Sequence, residues 1–227
     1  MFTLRGNCWL CQLPVSSPVR GICSACQRRL PLLPPLCYRC ALPAAPGTET
    51  CGRCLLHPPP WSRLICVSDY LPPLSRLLHK FKFSGCTALQ VMFARLILLS
   101  WLQQRRVCGL KKPDILVCSP LHKHRQWQRG FNQSALLAAP LARWLSCDYA
   151  PEALFRTRKT ALQHRLSLRQ RKRNLRHAFA TEFDFSGRHV ALVDDVVTTG
   201  STAGEISLML TRAGAASVQV WCLCRTL

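Results

Sequence analysis

Polar and apolar residues alternate over 63–70 (RLICVSDY), the period-two pattern of a short strand with one covered face. Over 74–83 and 89–103 the apolar positions instead recur every three or four residues, which predicts two amphipathic helices. The run 114–120 (DILVCSP) is brief, apolar and β-branched, as a parallel strand covered on both faces requires. Asn132 is a capping residue type ahead of an apolar-periodic stretch and predicts a helix to about Trp144. Near the C-terminus, 189–193 (HVALV) reads as a strand, 202–212 as a helix stopped by Gly214, and 217–222 as another strand. Strand, helix and strand in so short a span make a βαβ unit, so the two strands are expected to be parallel. The order predicts an α/β fold with a parallel sheet flanked by helices.

The first quarter of the chain has neither periodicity. Instead it carries four CxxC pairs, Cys8/Cys11, Cys23/Cys26, Cys37/Cys40 and Cys51/Cys54, starting 15, 14 and 14 residues apart. Two thiolates on a tight CxxC turn point at one centre, and two such turns close a tetrahedral cage around Zn²⁺, so eight ligands predict two structural zinc sites. Disulfides are the competing reading. The regular spacing and an odd total of 15 cysteines speak against it. The residues between the pairs are too few to bury a core, so metal has to supply the stability. His57, just after Cys54, reads as an exposed linker histidine. The triplet Pro58-Pro59-Pro60 is a stiff spacer. The expected organisation is therefore a zinc-binding module at 1–57, a linker at 58–60 and the α/β domain at 61–227.

With 227 residues, 48% hydrophobic and 18% charged, the chain can bury a core, which excludes a disordered protein. The best apolar stretch, 91–102, is interrupted by Arg95 and is shorter than the 18 or so residues a membrane span needs, so no membrane insertion is expected. The N-terminus lacks the continuous apolar segment of a secretory signal, which points to the reducing cytoplasm. Charge changes the picture most. Thirty-one Lys and Arg against ten Asp and Glu give +21, and eight zinc-bound thiolates would lower this only to about +17. Polyanionic or phosphate-bearing partners are implied.

Candidate chemistry concentrates at VALVDDVVTTGST, residues 190–202. Ligands of open α/β sheets sit beyond the carboxyl ends of the strands, where Asp194, Asp195 and the turn Thr198-Thr199-Gly200-Ser201-Thr202 are expected. The turn offers backbone amides, hydroxyls and a glycine ahead of a helix N-terminus, a cradle for a phosphate dianion. Thr202 with Glu205 fits a capping box. The lysine of a Walker A loop is absent, and two acids precede the turn instead, suggesting a sugar hydroxyl pair and Mg²⁺ to shield nearby charge. An ordinary solvated acidic turn would not need the TTGST continuation.

VDDVVTTGST resembles the 5-phosphoribosyl-1-pyrophosphate (PRPP) signature of type I phosphoribosyltransferases. Together with Ser119-Pro120-Leu121, Arg125, the segment Arg129-Gly130-Phe131-Asn132-Gln133, residues 163–174 and the N-terminal CxxC pairs, it is similar over essentially the whole chain to the ComF/GntX family, linked to DNA uptake and use of DNA as nutrient. The resemblance implies a type I phosphoribosyltransferase-like sheet preceded by a zinc module. It implies that Asp194 and Asp195 hold the ribose 2′- and 3′-hydroxyls, and that Val197, Thr198, Thr199, Gly200, Ser201 and Thr202 wrap the 5-phosphate. Ser119, Pro120 and Leu121 then form a pyrophosphate loop in which a strand-end peptide, with a cis bond as one option, turns amides toward the diphosphate; Arg125 and Arg129 add charge there, unless they are a solvated helix edge. Family members with fewer cysteines keep a pair matching Cys8/Cys11 and Cys23/Cys26, which implies sequential rather than interleaved cages.

Residues 156–176 hold nine Lys or Arg and no acid. The run reads as a catalytic lid over diphosphate or as a DNA-contacting stripe, with Arg169, Arg171, Lys172 and Arg173 its densest part; a solvated charge run is the bland alternative. Two functions follow. One is an Mg²⁺-dependent phosphoribosyltransferase acting on PRPP, with DNA, single-stranded included, and DNA-uptake machinery as expected partners. The other is a non-catalytic binding protein that senses PRPP or a nucleotide while holding DNA.

Overall fold

The computed structural model describes residues 6–15, 21–31, 33–121, 130–157 and 178–226. Its centre is a five-stranded, wholly parallel sheet. In chain order the strands are β1 (Arg63–Asp69), β2 (Ile115–Cys118), β3 (Asp148–Tyr149), β6 (His189–Val197) and β7 (Ser217–Arg225), arranged β1-β7-β6-β2-β3. The short antiparallel pair β4 (Phe155–Arg156) and β5 (Phe179–Ala180) forms a separate ladder and brackets in sequence the greater part of the basic run.

Alternation along the strands fills two cores. Leu116, Cys118, Ala191 and Val193 face one side, with α3 (Leu74–Phe83), α4 (Gln90–Cys108) and α5 (Gln133–Leu145) packed over them. Ile115, Val117, Val190 and Leu192 face the other, under α6 (Ser201–Arg212). Since both faces are covered, the central strands are apolar throughout rather than alternating. Asn132 caps α5, its Oδ1 accepting from the amides of Ser134 at 3.0 Å and Ala135 at 3.4 Å.

The βαβ unit β6-α6-β7 forms as the pattern predicts. β6 runs on to Val197, because β7 extends to Arg225 and supplies ladder partners, Val196 opposite Cys224 and Val197 opposite Arg225. Sheet pairing thus overrides the poor strand propensity of two aspartates. The expected capping box is not formed: Gly200, at φ +77°, is the N-cap of α6 and Thr202 already lies inside the helix. A left-handed glycine ends the turn two residues earlier than a cap at Thr202 would.

The N-terminal segment is built twice on one plan. Cys8 N donates to Leu13 O at 2.8 Å and Cys37 N to Leu42 O at 2.8 Å; Asn7 bridges Pro14 and Leu36 bridges Pro43. Each half adds one short helix, α1 (Ser24–Arg28) and α2 (Gly52–Leu56), which the sequence pattern did not reveal. Trp9 and Leu10 of the first half pack on the α3–α4–α5 side of the sheet, whereas Leu33, Leu36 and Ala41 join the core on the α6 side. Among the described residues, no helix is long and apolar enough to cross a membrane.

Candidate functional site

β2 continues through α5 toward one edge of the sheet, while β6 continues through α6 toward the other. Between β2 and β6 the connections diverge, and the carboxyl ends of these two strands frame the crevice where such sheets bind ligands. Ser119 lies on one side, its amide donating to Val193 O at 3.0 Å and its carbonyl accepting from Asn132 Nδ2 at 3.1 Å. Asp194 and Asp195 lie on the other. The expected residues of the two loops, Ser119, Pro120 and Leu121 against Val197, Thr198, Thr199, Gly200, Ser201 and Thr202, therefore meet at one end of one sheet.

The acids do not lie beyond the strand end, where the sequence placed them; both are within β6 and largely covered. Asp194 Oδ1 accepts from Ser134 Oγ at 3.1 Å and from the Asp195 amide at 2.8 Å. Burial, followed by the neighbouring Asp195 charge, pushes the Asp194 carboxyl up to about 7, against the opposing pull of the Asp195 amide, Lys82 and Ser134. Asp195 Oδ2 pairs with Lys82 Nζ at 3.0 Å, both side chains about 15% exposed (15% and 14%). Lys82, on α3, and Ser134, on α5, escaped the sequence reading. The available signal was charge scarcity: with ten acids in a +21 chain, an acidic pair on a strand finds a cation from another element.

Past Val197 the turn is held from within. Thr199 Oγ1 accepts from the Ser201 amide at 3.3 Å and shares a hydrogen bond with Ser201 Oγ at 2.8 Å. The twelve-residue α6 begins there, so its N-terminus lies at the carboxyl end of β6. The peptides from Val117 to Leu121 are trans; the cis bond among the described residues is Pro72–Pro73. The family option of a cis strand end is not taken, and Ser119 is instead held in ladder geometry by Val193. Arg125, Arg129, Arg169, Arg171, Lys172 and Arg173 lie outside the described residues, as does the basic run apart from Arg156 and Thr157.

The cysteines assemble as two sequential quartets, Cys8, Cys11, Cys23 and Cys26, then Cys37, Cys40, Cys51 and Cys54, each with its sulfurs within 4.8 Å of one another. Burial opposes ionisation of Cys8, but the amides of Cys11, Cys23 and Leu10 outweigh it and bring the thiol down to about 6. In the second quartet burial again opposes, and the amides of Cys51, Cys40 and Arg39 bring Cys37 down to about 7. Burial and the sulfurs around it push Cys26 up to about 12, and burial and its sulfur neighbours raise Cys54 as well. Four sulfurs so close cannot all ionise without a cation between them, and four-thiolate tetrahedra suit Zn²⁺. His57 is exposed and belongs to neither quartet.

Residues 4–55 match the double zinc ribbon domain family. The chain is 54% identical over 227 residues, 100% of both proteins, to the DNA utilization protein YhgH of Escherichia coli (strain K12). It is 37% identical over 222 residues, 96% of both, to competence protein F of Haemophilus influenzae. Among solved structures, the purine phosphoribosyltransferase from Pyrococcus horikoshii Ot3 aligns with 60% of this chain and 72% of its own, at 18% identity and a TM-score of 0.37.

Proposed function

The chain belongs to the ComF/GntX family, which includes the DNA utilization protein YhgH and competence protein F, and from that premise we propose that it binds PRPP or a related ribose phosphate and handles DNA in the cytoplasm. One observation carries the ligand reading: an acidic pair followed by a hydroxyl-rich turn with a left-handed glycine, standing opposite Ser119 at the divergence point of a parallel sheet. In this reading Asp194 and Asp195 accept from the ribose hydroxyls, the turn Val197 to Thr202 donates to the 5-phosphate, and Ser119 to Leu121 face the diphosphate. Asp194 and Asp195 stand close enough to such a ligand that Mg²⁺ bound with its diphosphate would be needed to shield the negative charges from one another.

DNA binding is supported by charge and by one cleft. The first ribbon and α3 border about 400 Å³ lined by Trp9, Leu10, Arg29, Arg76 and Lys80, with no acid among the described residues of the lining. An aromatic ring among cations suits a stacked base with flanking phosphates, and single-stranded DNA offers both. The basic sequence 156–176, with nine Lys or Arg and no acid, is a second candidate, as lid or as DNA contact. DNA-uptake machinery is the natural partner class.

Two outcomes are open to such a site. As a transferase, it would let a nitrogen nucleophile replace diphosphate at C1 of the ribose; as a binding protein, it would hold PRPP without turnover. Incubating the zinc-loaded protein with PRPP, Mg²⁺ and a panel of bases, amines and DNA fragments separates them. Acceptor-dependent diphosphate release establishes the transferase, and PRPP binding with no release establishes the sensor.

A further inference from the structure

The first CxxC turn of the second quartet, Cys37/Cys40, here its knuckle as Cys8/Cys11 is that of the first quartet, carries Tyr38 and Arg39, and both reach β1 or the residues just before it. The Tyr38 carbonyl accepts from Leu64 N at 3.3 Å, and the Arg63 guanidinium sits 3.7 Å from the centre of its ring. Arg39 Nη1 donates to Trp61 O at 2.9 Å, and Trp61 Nε1 donates back to Arg39 O at 2.6 Å. The carbonyl of Cys40, itself one of the quartet, accepts from Arg225 Nε at 3.0 Å.

These same two partners hold the phosphate turn. Arg225, only 3% exposed, donates through Nη1 to Val197 O at 3.0 Å. The Trp61 ring lies over Gly200 and Gly204: a Cβ at Gly200 would be 3.0 Å from Trp61 Cη2. Two short relays thus run from the cage to the turn, Cys40–Arg225–Val197 and Arg39–Trp61–Gly200. The corresponding residues of the first knuckle, Trp9 and Leu10, pack instead on the opposite side of the sheet.

We propose that the second cysteine cage is a positioning element of the phosphate turn, acting through Arg225 and Trp61, while the first cage has no hold on it. Knuckle geometry depends on the metal. Ala41, which follows Cys40, sits at φ +52°, a region alanine disfavours, and its amide donates to Cys37 O at 2.8 Å, so the turn that carries Arg39 closes on a cysteine that would hold Zn²⁺. Opening the cage releases Cys40 O and Arg39, and the turn loses both anchors. Coupling of this kind is reciprocal, so a ligand in the turn must also retain metal in the second cage.

The proposal rests on the ribose-phosphate reading for its ligand arm but not for its structural arm, and both can be measured on the full chain. Cys51→Ser opens the second cage and Cys11→Ser the first. Amide hydrogen exchange over 197–204 is expected to speed up at least tenfold in Cys51→Ser and less than twofold in Cys11→Ser. PRPP affinity with Mg²⁺ should fall at least tenfold in the first variant only, and PRPP should slow EDTA extraction of one Zn²⁺ of the pair. Trp61→Phe, which keeps both cages but loses the bond to Arg39, should raise exchange in the turn with zinc content unchanged; it decides the matter if Cys51→Ser fails to fold. Equal exchange over 197–204 in the two cysteine variants, or an unchanged turn in Trp61→Phe, overturns the proposal. If the unaltered protein binds no PRPP while exchange still separates the variants, the ligand reading fails and the coupling stands.

Discussion

Replacing Asp194 by Asn removes a charge that the fold holds at a cost. Its carboxyl is lifted from 3.8 to about 7, and each unit of such a shift is worth about 1.4 kcal/mol, so ionising it in the folded chain costs up to about 4 kcal/mol above neutral pH. An amide oxygen can still accept from Ser134 Oγ and the Asp195 amide, though more weakly, and the net gain expected for Asp194→Asn at pH 8 is about 1–3 kcal/mol. The sign with pH follows from proton counting. Between about pH 4 and pH 7 the folded chain keeps the Asp194 proton and the unfolded chain does not, so this group makes stability fall as pH rises through that window and level off above it. The Asn variant loses that slope, and its advantage shrinks toward zero at pH 4. Asp195→Asn has the opposite effect, because it removes the ion-pair partner of Lys82 at 15% exposure and the relief it gives Asp194 offsets only part of that cost; a net loss of about 1–2 kcal/mol is expected. Urea unfolding of the zinc-loaded protein at several pH values, followed by emission of the buried Trp101 and Trp221, measures both. A destabilised Asp194→Asn at pH 8, or a variant with the parent's pH slope, refutes the reasoning. Stability gained together with ligand binding lost would mark Asp194 as a residue kept for function.

Purified protein should carry about two Zn²⁺ per chain, and Cys8→Ser should lower this toward one; metal content near zero with free thiols intact would contradict the cages. Gly200→Ala combines a φ of +77° with a 3.0 Å approach to Trp61, so it should cost about 1–3 kcal/mol in urea unfolding; a neutral substitution would show that the turn yields. Changing Arg169, Arg171, Lys172 and Arg173 together to Ser should flatten the dependence of DNA affinity on salt if the run touches backbone phosphates. If it is a lid, the salt slope survives and any diphosphate release is lost; a variant unchanged in both assays returns the run to a solvated face.

The parallel sheet was legible because its central strands are buried on both faces and read as short apolar runs, and the βαβ unit because Gly214 and the helical period mark its joints. That eight cysteines make two cages was legible from spacing, and their sequential pairing from the family resemblance. What surrounds the acids was not. Ser134 is 60 positions from the Asp194 it touches, and Arg225 lies 185 from Cys40, so only the folded chain brings them together. The Thr202 capping reading failed locally for a related reason: Trp61, contributed from before β1, closes over Gly200 and accompanies a glycine cap. The acids were expected past the strand because aspartate is a poor strand former; the ladder between β6 and β7, extended to Val197, keeps them in the sheet.

Calorimetric titration of the zinc-loaded protein with PRPP and Mg²⁺, beside the double variant Asp194→Asn with Asp195→Asn, tests the ribose-phosphate site most directly. Saturable binding at one site per chain that disappears in a folded double variant is the predicted result. Absence of binding in the unaltered protein, or equal affinity in the double variant, would contradict it.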